Sequence, residues 1–363
     1  MTDSSLKKMW IGGQAVDGDA GVAPLVSVNP ATGEVNYEVA AAGAKAADTA
    51  VRVADEAARD KKWRNMLPPA RAAILSRIAD GMERRSEELA RLQMIENGKV
   101  WRECQTQVKS AAATFRYYAA VCETTGSEVT PARGDYLSMS VYEPYGVVAA
   151  ITPWNSPMTM EAQKVAPALA AGNAVILKPS EITPSTGLLL AEIAQEAGLP
   201  PGILNVLPGT GQQVGAALVE HPRVRMVSFT GGTESGRRIA ETAARKLMPV
   251  ALELGGKSPH IVFNDAPVDS AVAALAGGIF EGSGQSCVAG SRAFVQRGVY
   301  DEVVAKLSAV ARSLKVDLPD AAGAEMGPLA TFAHRDKVAA MVEAARAAGA
   351  DILAGGARPG SQA

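Results

Sequence analysis

Between residues 146 and 229, short apolar runs alternate with helix-patterned segments, and this rhythm constrains the fold more than any other feature of the chain. The runs are 146–151, 174–177, 203–206 and 226–229, each followed by a stretch with helical spacing. Continuous hydrophobicity, as opposed to strict alternation, belongs to strands buried on both faces, the situation of a parallel sheet covered by crossover helices. Sheets of this kind take their ligands at the carboxyl ends of the strands.

From residue 41 to about 123 the pattern is helical. Between 70 and 96, Ile74, Leu75, Ile78, Met82 and Leu89 recur at spacings of mostly three and four, predicting a helix that packs one face on the sheet. Pro68-Pro69 opens it and Asn97-Gly98 closes it. Residues 136–145 alternate in character and carry aromatic and β-branched side chains, which predicts a strand or hairpin, such as an ordinary edge strand. Beyond Gly255, a strand at 260–263, a helix at 267–281, a loop holding Cys287 and a strand at 293–296 begin a second α/β domain.

A chain of 363 residues, 47% hydrophobic, is long enough for two domains with a substantial core. Its formal net charge of -2 offers no basic surface for nucleic acid or an anionic membrane, so small molecules are the expected partners. Charge, Gly or Pro interrupts every apolar stretch before membrane-spanning length, and the N-terminus lacks a signal-peptide core, so a cytoplasmic location is expected. Cys104, Cys122 and Cys287 are odd in number, and with His221, His260 and His334 scattered, neither a disulfide framework nor a metal site is expected.

Three strand ends carry polar motifs: Ile151-Thr152-Pro153-Trp154-Asn155, Lys178-Pro179-Ser180-Glu181 and Phe229-Thr230-Gly231-Gly232, the last continuing to Gly236. A glycine turn between a strand and a helix exposes amide N–H groups at the positive end of the helix dipole, where a pyrophosphate is favoured, although most such turns are only turns. Cys287 lies in Gly284-Gln285-Ser286-Cys287-Val288-Ala289-Gly290, downstream of Leu252-Glu253-Leu254-Gly255-Gly256-Lys257. The thiolate is the attacking form of cysteine, and glycines let backbone and substrate approach closely. Taken alone, Cys287 also fits a small apolar residue, Asn155 a turn, Lys178 to Glu181 a solvated turn, and Glu253 a surface carboxylate.

In order, spacing and wording the Cys287 and Glu253 segments, with Ile151–Asn155 and Leu177–Glu181, resemble the NAD(P)-dependent aldehyde dehydrogenase superfamily, and the resemblance runs from about Pro24 to the C-terminus. It implies an α/β fold: a variant Rossmann-like parallel sheet with helices on both faces, plus a second α/β catalytic domain that is incomplete. The implied boundaries are a dinucleotide-binding domain at 1–123 and 146–255, a bridging arm at 124–145 that reaches a neighbouring subunit, and a catalytic domain at 256–363. The resemblance also implies a homodimer or homotetramer.

For the cofactor the resemblance implies NAD, with NADP less favoured because the Glu181 carboxylate would repel a 2′-phosphate. The residues so implicated are Ile151, Thr152, Pro153, Trp154, Lys178, Ser180, Glu181, Gly211, Phe229, Thr230, Gly231, Gly232, Gly236, Leu254 and Gly255.

For catalysis it implies Cys287, Glu253, Asn155 and Lys178. Cys287 attacks an aldehyde to give a thiohemiacetal, Asn155 and the Cys287 N–H stabilise the oxyanion, and Glu253 activates water to hydrolyse the thioester. Loss of one oxyanion donor commonly costs about 2.7–4 kcal/mol. A position beside a strand and Gly255-Gly256 predicts partial burial of Glu253. Relatives of the resembled kind continue past Ala363, by roughly a quarter of the expected chain, so an inactive cofactor-binding remnant stands as a second reading. An NAD-independent cysteine esterase, without a histidine near Cys287 in sequence, is a third.

Overall fold

The computed structural model describes residues 6–358. The chain opens with β1 (Met9–Ile11) and β2 (Gln14–Val16), joined by the two-residue turn Gly12-Gly13, then β3 (Leu25–Val28) and β4 (Val35–Val39). A helical run follows: α1 (Ala44–Arg59), α2 (Lys61–Arg64), α3 (Pro68–Arg84), α4 (Ser86–Asn97) and α5 (Trp101–Thr124). The alternating part comprises β5 (Val147–Ile151), α6 (Pro157–Ala170), β6 (Ala174–Lys178), α7 (Ser185–Glu196), β7 (Leu204–Val206), α8 (Ala216–Glu220), β8 (Val224–Gly231) and α9 (Thr233–Arg245). Then come β9 (Val250–Leu254), β10 (Pro259–Val262), α10 (Val268–Phe280), β11 (Arg292–Val295), α11 (Arg297–Ser313) and α12 (Phe332–Ala347).

These elements divide into two units. One comprises residues 1–26, 37–89 and 106–253; the other comprises 27–36, 90–105 and 254–363, and the chain passes from one to the other within α4 and α5.

The first unit is built on a seven-stranded sheet ordered β2-β1-β7-β6-β5-β8-β9. β5 runs parallel to β6 and to β8, and β6 parallel to β7, while the β1-β2 hairpin adds antiparallel at one side. Every residue of β5, β6 and β7 is buried, as continuous apolar runs require when helices cover both faces. α1 lies against β5, β6 and β7 through its small face, in which Ala46, Ala47, Ala50, Val51 and Ala54 are buried. The Asp19 carboxylate accepts from the N–H groups of Gly43 and Ala46, each at 2.9 Å, and so caps α1 from a distant loop.

Two expectations need correction. The helix expected across 70–96 is two helices, because Arg85 turns to φ −101°, ψ 24° and its side chain clasps Glu88 in the next turn. The apolar face of α3 meets α6 and α7, not the sheet, and a side chain on Gly81 would run into Ile193 of α7. Residues 136–145 form no continuous strand, and the hairpin expected as the alternative is short: Val129 bridges Met139 antiparallel, with Thr130 N–H on Ser138 C=O and Ser140 N–H on Glu128 C=O, and the side chains of Tyr136, Leu137, Val141 and Tyr142 are exposed. With nothing in the same chain to cover it, the ladder stops after a few bonds.

In the second unit β10 and β11 make a two-stranded parallel sheet, and α10 packs on α11. Val262, Val272, Leu275 and Val303 form its small core. Among the described residues no helix is long and apolar enough to cross a membrane.

Candidate active site

Parallel register brings the first unit's motifs side by side. Ile151, the last residue of β5, pairs with Lys178 at the end of β6 on one side and with Phe229 of β8 on the other. Three motifs far apart in sequence therefore leave the same carboxyl edge of the sheet, where a ligand meets outward-turning loops and helix starts.

At this edge Thr152 donates its N–H to the Lys178 carbonyl at 3.1 Å, and its side-chain hydroxyl is buried with no protein partner. The Thr230 hydroxyl, on β8, is likewise buried and unpartnered. Two orphaned hydroxyls at adjacent strand ends are unusual in a protein interior and fit a polar ligand that would complete them. Pro153, Trp154 and Asn155 are half-buried, ahead of the first turn of α6.

Lys178 is 2% exposed, donates from Nζ to the Pro179 carbonyl at 2.7 Å and stands 3.6 Å from the Glu181 carboxylate. Burial pushes its pKa down, and Glu181 opposes the shift. Ser180 is buried, with its Oγ accepting from the Ile182 N–H, whereas Glu181 is exposed. Gly231 ends β8 and Gly232 is the N-cap of α9, whose first turn has no side-chain cap; Gly236 is buried one turn further on. Gly211 opens a π-helical turn, Gly211–Gly215, capped by the Thr210 hydroxyl.

Glu253 lies in β9, the outermost strand of the sheet, and is exposed where partial burial was expected. An outermost strand lacks a neighbour to shield its side chains, which is the physical reason for the difference. Leu254 is half-buried, and Gly255 is exposed at the start of the second unit.

Within the second unit Cys287 is exposed, beyond a 3-10 turn at Glu281–Gly284. Its carbonyl lies 3.2 Å from where a Cβ on Gly256 would stand. Gly290 passes so close to the ring of His260 that a Cβ there would overlap the imidazole unless the ring moved. A histidine remote in sequence thus borders the cysteine loop. Cys104 and Cys122 are buried, and burial pushes the Cys104 thiol up to about 12.

Sequence reasoning did not single out Lys164. It lies in α6, is 7% exposed, and donates from Nζ to the Ser228 hydroxyl at 3.0 Å. Burial lowers its pKa to about 8, and the charge of Glu253 acts to raise it. Nearby in α6, the carboxyl of Glu161 is fully buried and accepts from the Thr186 hydroxyl at 3.1 Å. Charged residues in a helix apolar on nearly every side are the available sequence signal, since such a helix must be buried.

The fold defines a covered parallel α/β protein with a ligand edge at its strand ends. The family model described as "Aldehyde dehydrogenase family" matches residues 16–363. The chain is 42% identical over 356 residues to phenylacetaldehyde dehydrogenase of Pseudomonas fluorescens, across 96% of this chain and 71% of that protein. An aldehyde dehydrogenase from Bacillus cereus, solved with NAD+, superposes with a TM-score of 0.96 at 36% identity, covering 99% of this chain and 73% of the other. An NADP-dependent enzyme of E. coli gives 0.95 at 36% identity, covering 98% and 73%. The chain belongs to the aldehyde dehydrogenase family.

Proposed function

We propose that this chain oxidises an aldehyde to a carboxylic acid with NAD as the acceptor, through a thiohemiacetal and a thioester on Cys287. The observation that supports it most is the common edge formed by Ile151, Lys178 and Phe229, with the orphaned Thr152 and Thr230 hydroxyls beside it. Ile151, Thr152, Pro153, Trp154, Ser180, Phe229, Thr230, Gly231, Gly232 and Gly236 would hold the cofactor, with Gly211, Leu254 and Gly255 contributing backbone. Lys178 and Glu181 would take ribose hydroxyls, and Glu181 weighs against a 2′-phosphate. When bound, the cofactor supplies the hydride acceptor that turns the thiohemiacetal carbon into a thioester.

Cys287 adds its sulfur to the aldehyde carbon. The Asn155 side-chain amide and the Cys287 N–H donate to the oxyanion that develops. Glu253 then takes a proton from the hydrolytic water as it attacks the thioester carbonyl, and the thiolate leaves. In this reading the first unit, on its seven-stranded sheet, binds the nucleotide and residues 256–363 carry the nucleophile. The exposed arm at 124–145, with Tyr136, Leu137 and Tyr142 uncovered, would be covered by a second copy in a homodimer or homotetramer. A reducing compartment such as the cytoplasm suits an exposed catalytic thiol.

Glu253→Gln tests the scheme. Single-turnover NADH formation from a small aldehyde panel should persist while steady-state turnover falls by about 10²–10⁴-fold, the usual contribution of a general base. An unchanged steady-state rate removes Glu253 from the mechanism, and ester hydrolysis without NADH formation would redirect the reading to an NAD-independent hydrolase.

A further inference from the structure

One cluster in the second unit has no task in this scheme: a carboxylate, a buried lysine and two left-handed residues beneath the segment that leads to Cys287. Glu103 stands in the first turn of α5, and both of its carboxylate oxygens accept from the Gly282 backbone N–H, at 3.1 and 3.2 Å. A hydrogen bond to a carboxylate is roughly twice as strong as a neutral one. Lys99 is 9% exposed, and a Cβ on Gly282 would lie 3.4 Å from its Nζ. Burial lowers the Lys99 pKa, and the charges of Glu103 and Glu281 oppose that shift.

The turn itself is constrained. Gly282 has φ +61° and Ser283 φ +57°, a region in which a non-glycine residue is strained unless its surroundings enforce it. The surroundings here do so. The Ser283 hydroxyl donates to the Gly327 carbonyl at 2.9 Å. Gln285 donates to the Gly282 carbonyl from its backbone N–H at 3.1 Å and from its side-chain amide at 3.2 Å, while its Oε1 accepts from the Ala330 N–H at 3.0 Å. The chain leaves this clamp directly into Ser286 and Cys287, which are exposed, the Ser286 carbonyl accepting from the Ala289 N–H at 3.2 Å.

We infer that Glu103 is a positioning residue for the Cys287 sulfur: its carboxylate fixes the Gly282 amide, the fixed turn sets the direction of the chain, and the direction sets where the thiol stands. Lys99, whose Nζ would lie 3.4 Å from a Cβ on Gly282, stands beside the same turn. The inference rests on the reading of Cys287 as nucleophile. No bond to substrate is required of Glu103, which acts through the backbone alone.

The test compares Glu103→Ala, Glu103→Gln and Cys287→Ser in the full chain. Hydrogen exchange of the peptide spanning 281–290 is one readout; NADH turnover per Cys287 titrated with iodoacetamide is the other, with alkylation mapped by mass spectrometry. Cys104 and Cys122 are buried and report on folding, since they alkylate only if the chain opens. Glu103→Ala should exchange the 281–290 amides at least tenfold faster and lose about 100-fold in kcat per titrated thiol, the scale of a ~1 Å misplacement, with KM for the aldehyde little changed. Glu103→Gln retains one acceptor oxygen and should fall between it and wild type.

Wild-type exchange or wild-type turnover per thiol in Glu103→Ala overturns the inference. Should that variant expose Cys104 or Cys122, the same criteria applied to Glu103→Gln decide. NADH formation retained by Cys287→Ser would instead refute the nucleophile reading, separating the two failures.

Discussion

β6 and β11 are both short strands with a parallel neighbour, yet β6 is buried at all five positions while β11 is exposed at three and half-buried at the fourth. The contrast shows two ways of holding functional groups. In the first unit, Lys178 ends β6 and Phe229 lies near the end of β8, in strands that cannot shift without opening a packed core, so their spacing is set by hydrophobic burial. In the second, Cys287 follows a turn held by a handful of hydrogen bonds beside a two-stranded sheet. In the proposed scheme a ligand platform benefits from rigidity, whereas a nucleophile that must accept a substrate and later release an acid benefits from a loop whose few anchors can be tuned singly.

Truncating matched isoleucines is the strongest way to break this comparison. Ile176 in β6 is 0% exposed, and Ile176→Ala should cost about 2–5 kcal/mol in unfolding free energy through the cavity it leaves. Ile261 in β10 is 63% exposed, and Ile261→Ala should stay within roughly 0.5 kcal/mol. Urea titration measures both. Equal costs would mean that the second sheet is covered in solution.

Burial in the first unit is deep enough to penalise a charge, and Lys164 makes that penalty measurable. Its pKa in the folded chain is about 8, against an unfolded value near 10.5. Below pH 8 both states are protonated and the penalty stands in full. Between pH 8 and 10.5 the unfolded chain binds more protons than the folded one, so stability rises with pH, by about 3 kcal/mol in total at ~1.4 kcal/mol per pH unit. Lys164→Met should abolish this rise. Glu253→Gln, by removing the charge that supports the ammonium, should start it at lower pH. Parallel stability curves for wild type and Lys164→Met across this window would show that the ammonium finds solvent.

The legible parts of the molecule are those in which local sequence and final environment agree. β5 and β6 announce themselves because strands covered on both faces need apolar runs, while β7 and β8, interrupted by Asn205 and Ser228, are marked by their alternation with helical segments, and the strand-end motifs follow from them. β1 and β2 do not, because three residues on either side of Gly12-Gly13 are too few to establish a period. The break at Arg85 was hidden by an apolar spacing that continues through it into α4. Residues 136–145 have strand composition, but their pairing within the chain is limited to the short bridge at Val129 and Met139. Cys287, Glu253 and Asn155 can be proposed from their residue types and motifs, but the exposure of Glu253 depends on β9 being outermost, a property of the whole sheet. The Glu103 to Gly282 bond joins residues 179 positions apart, with no periodicity to reveal it.

Helix caps give the finest discrimination between the two units. Asp19 caps α1, whose buried face covers three strands, so Asp19→Ala should lower global stability by about 1 kcal/mol, visible as a shift in the urea midpoint. Thr331 caps α12 through the His334 N–H at 3.0 Å, and α12 has no buried residue. Thr331→Ala forfeits a bond of the same kind, also worth about 1 kcal/mol, but from a helix whose opening exposes little apolar surface. Its effect should therefore appear as roughly fivefold faster hydrogen exchange in the first turns of α12, the factor that 1 kcal/mol represents, with the urea midpoint unmoved. A midpoint shift as large as that of Asp19→Ala would mean that α12 unfolds together with the core of its unit, and the contrast drawn from β6 and β11 would not extend to the helices.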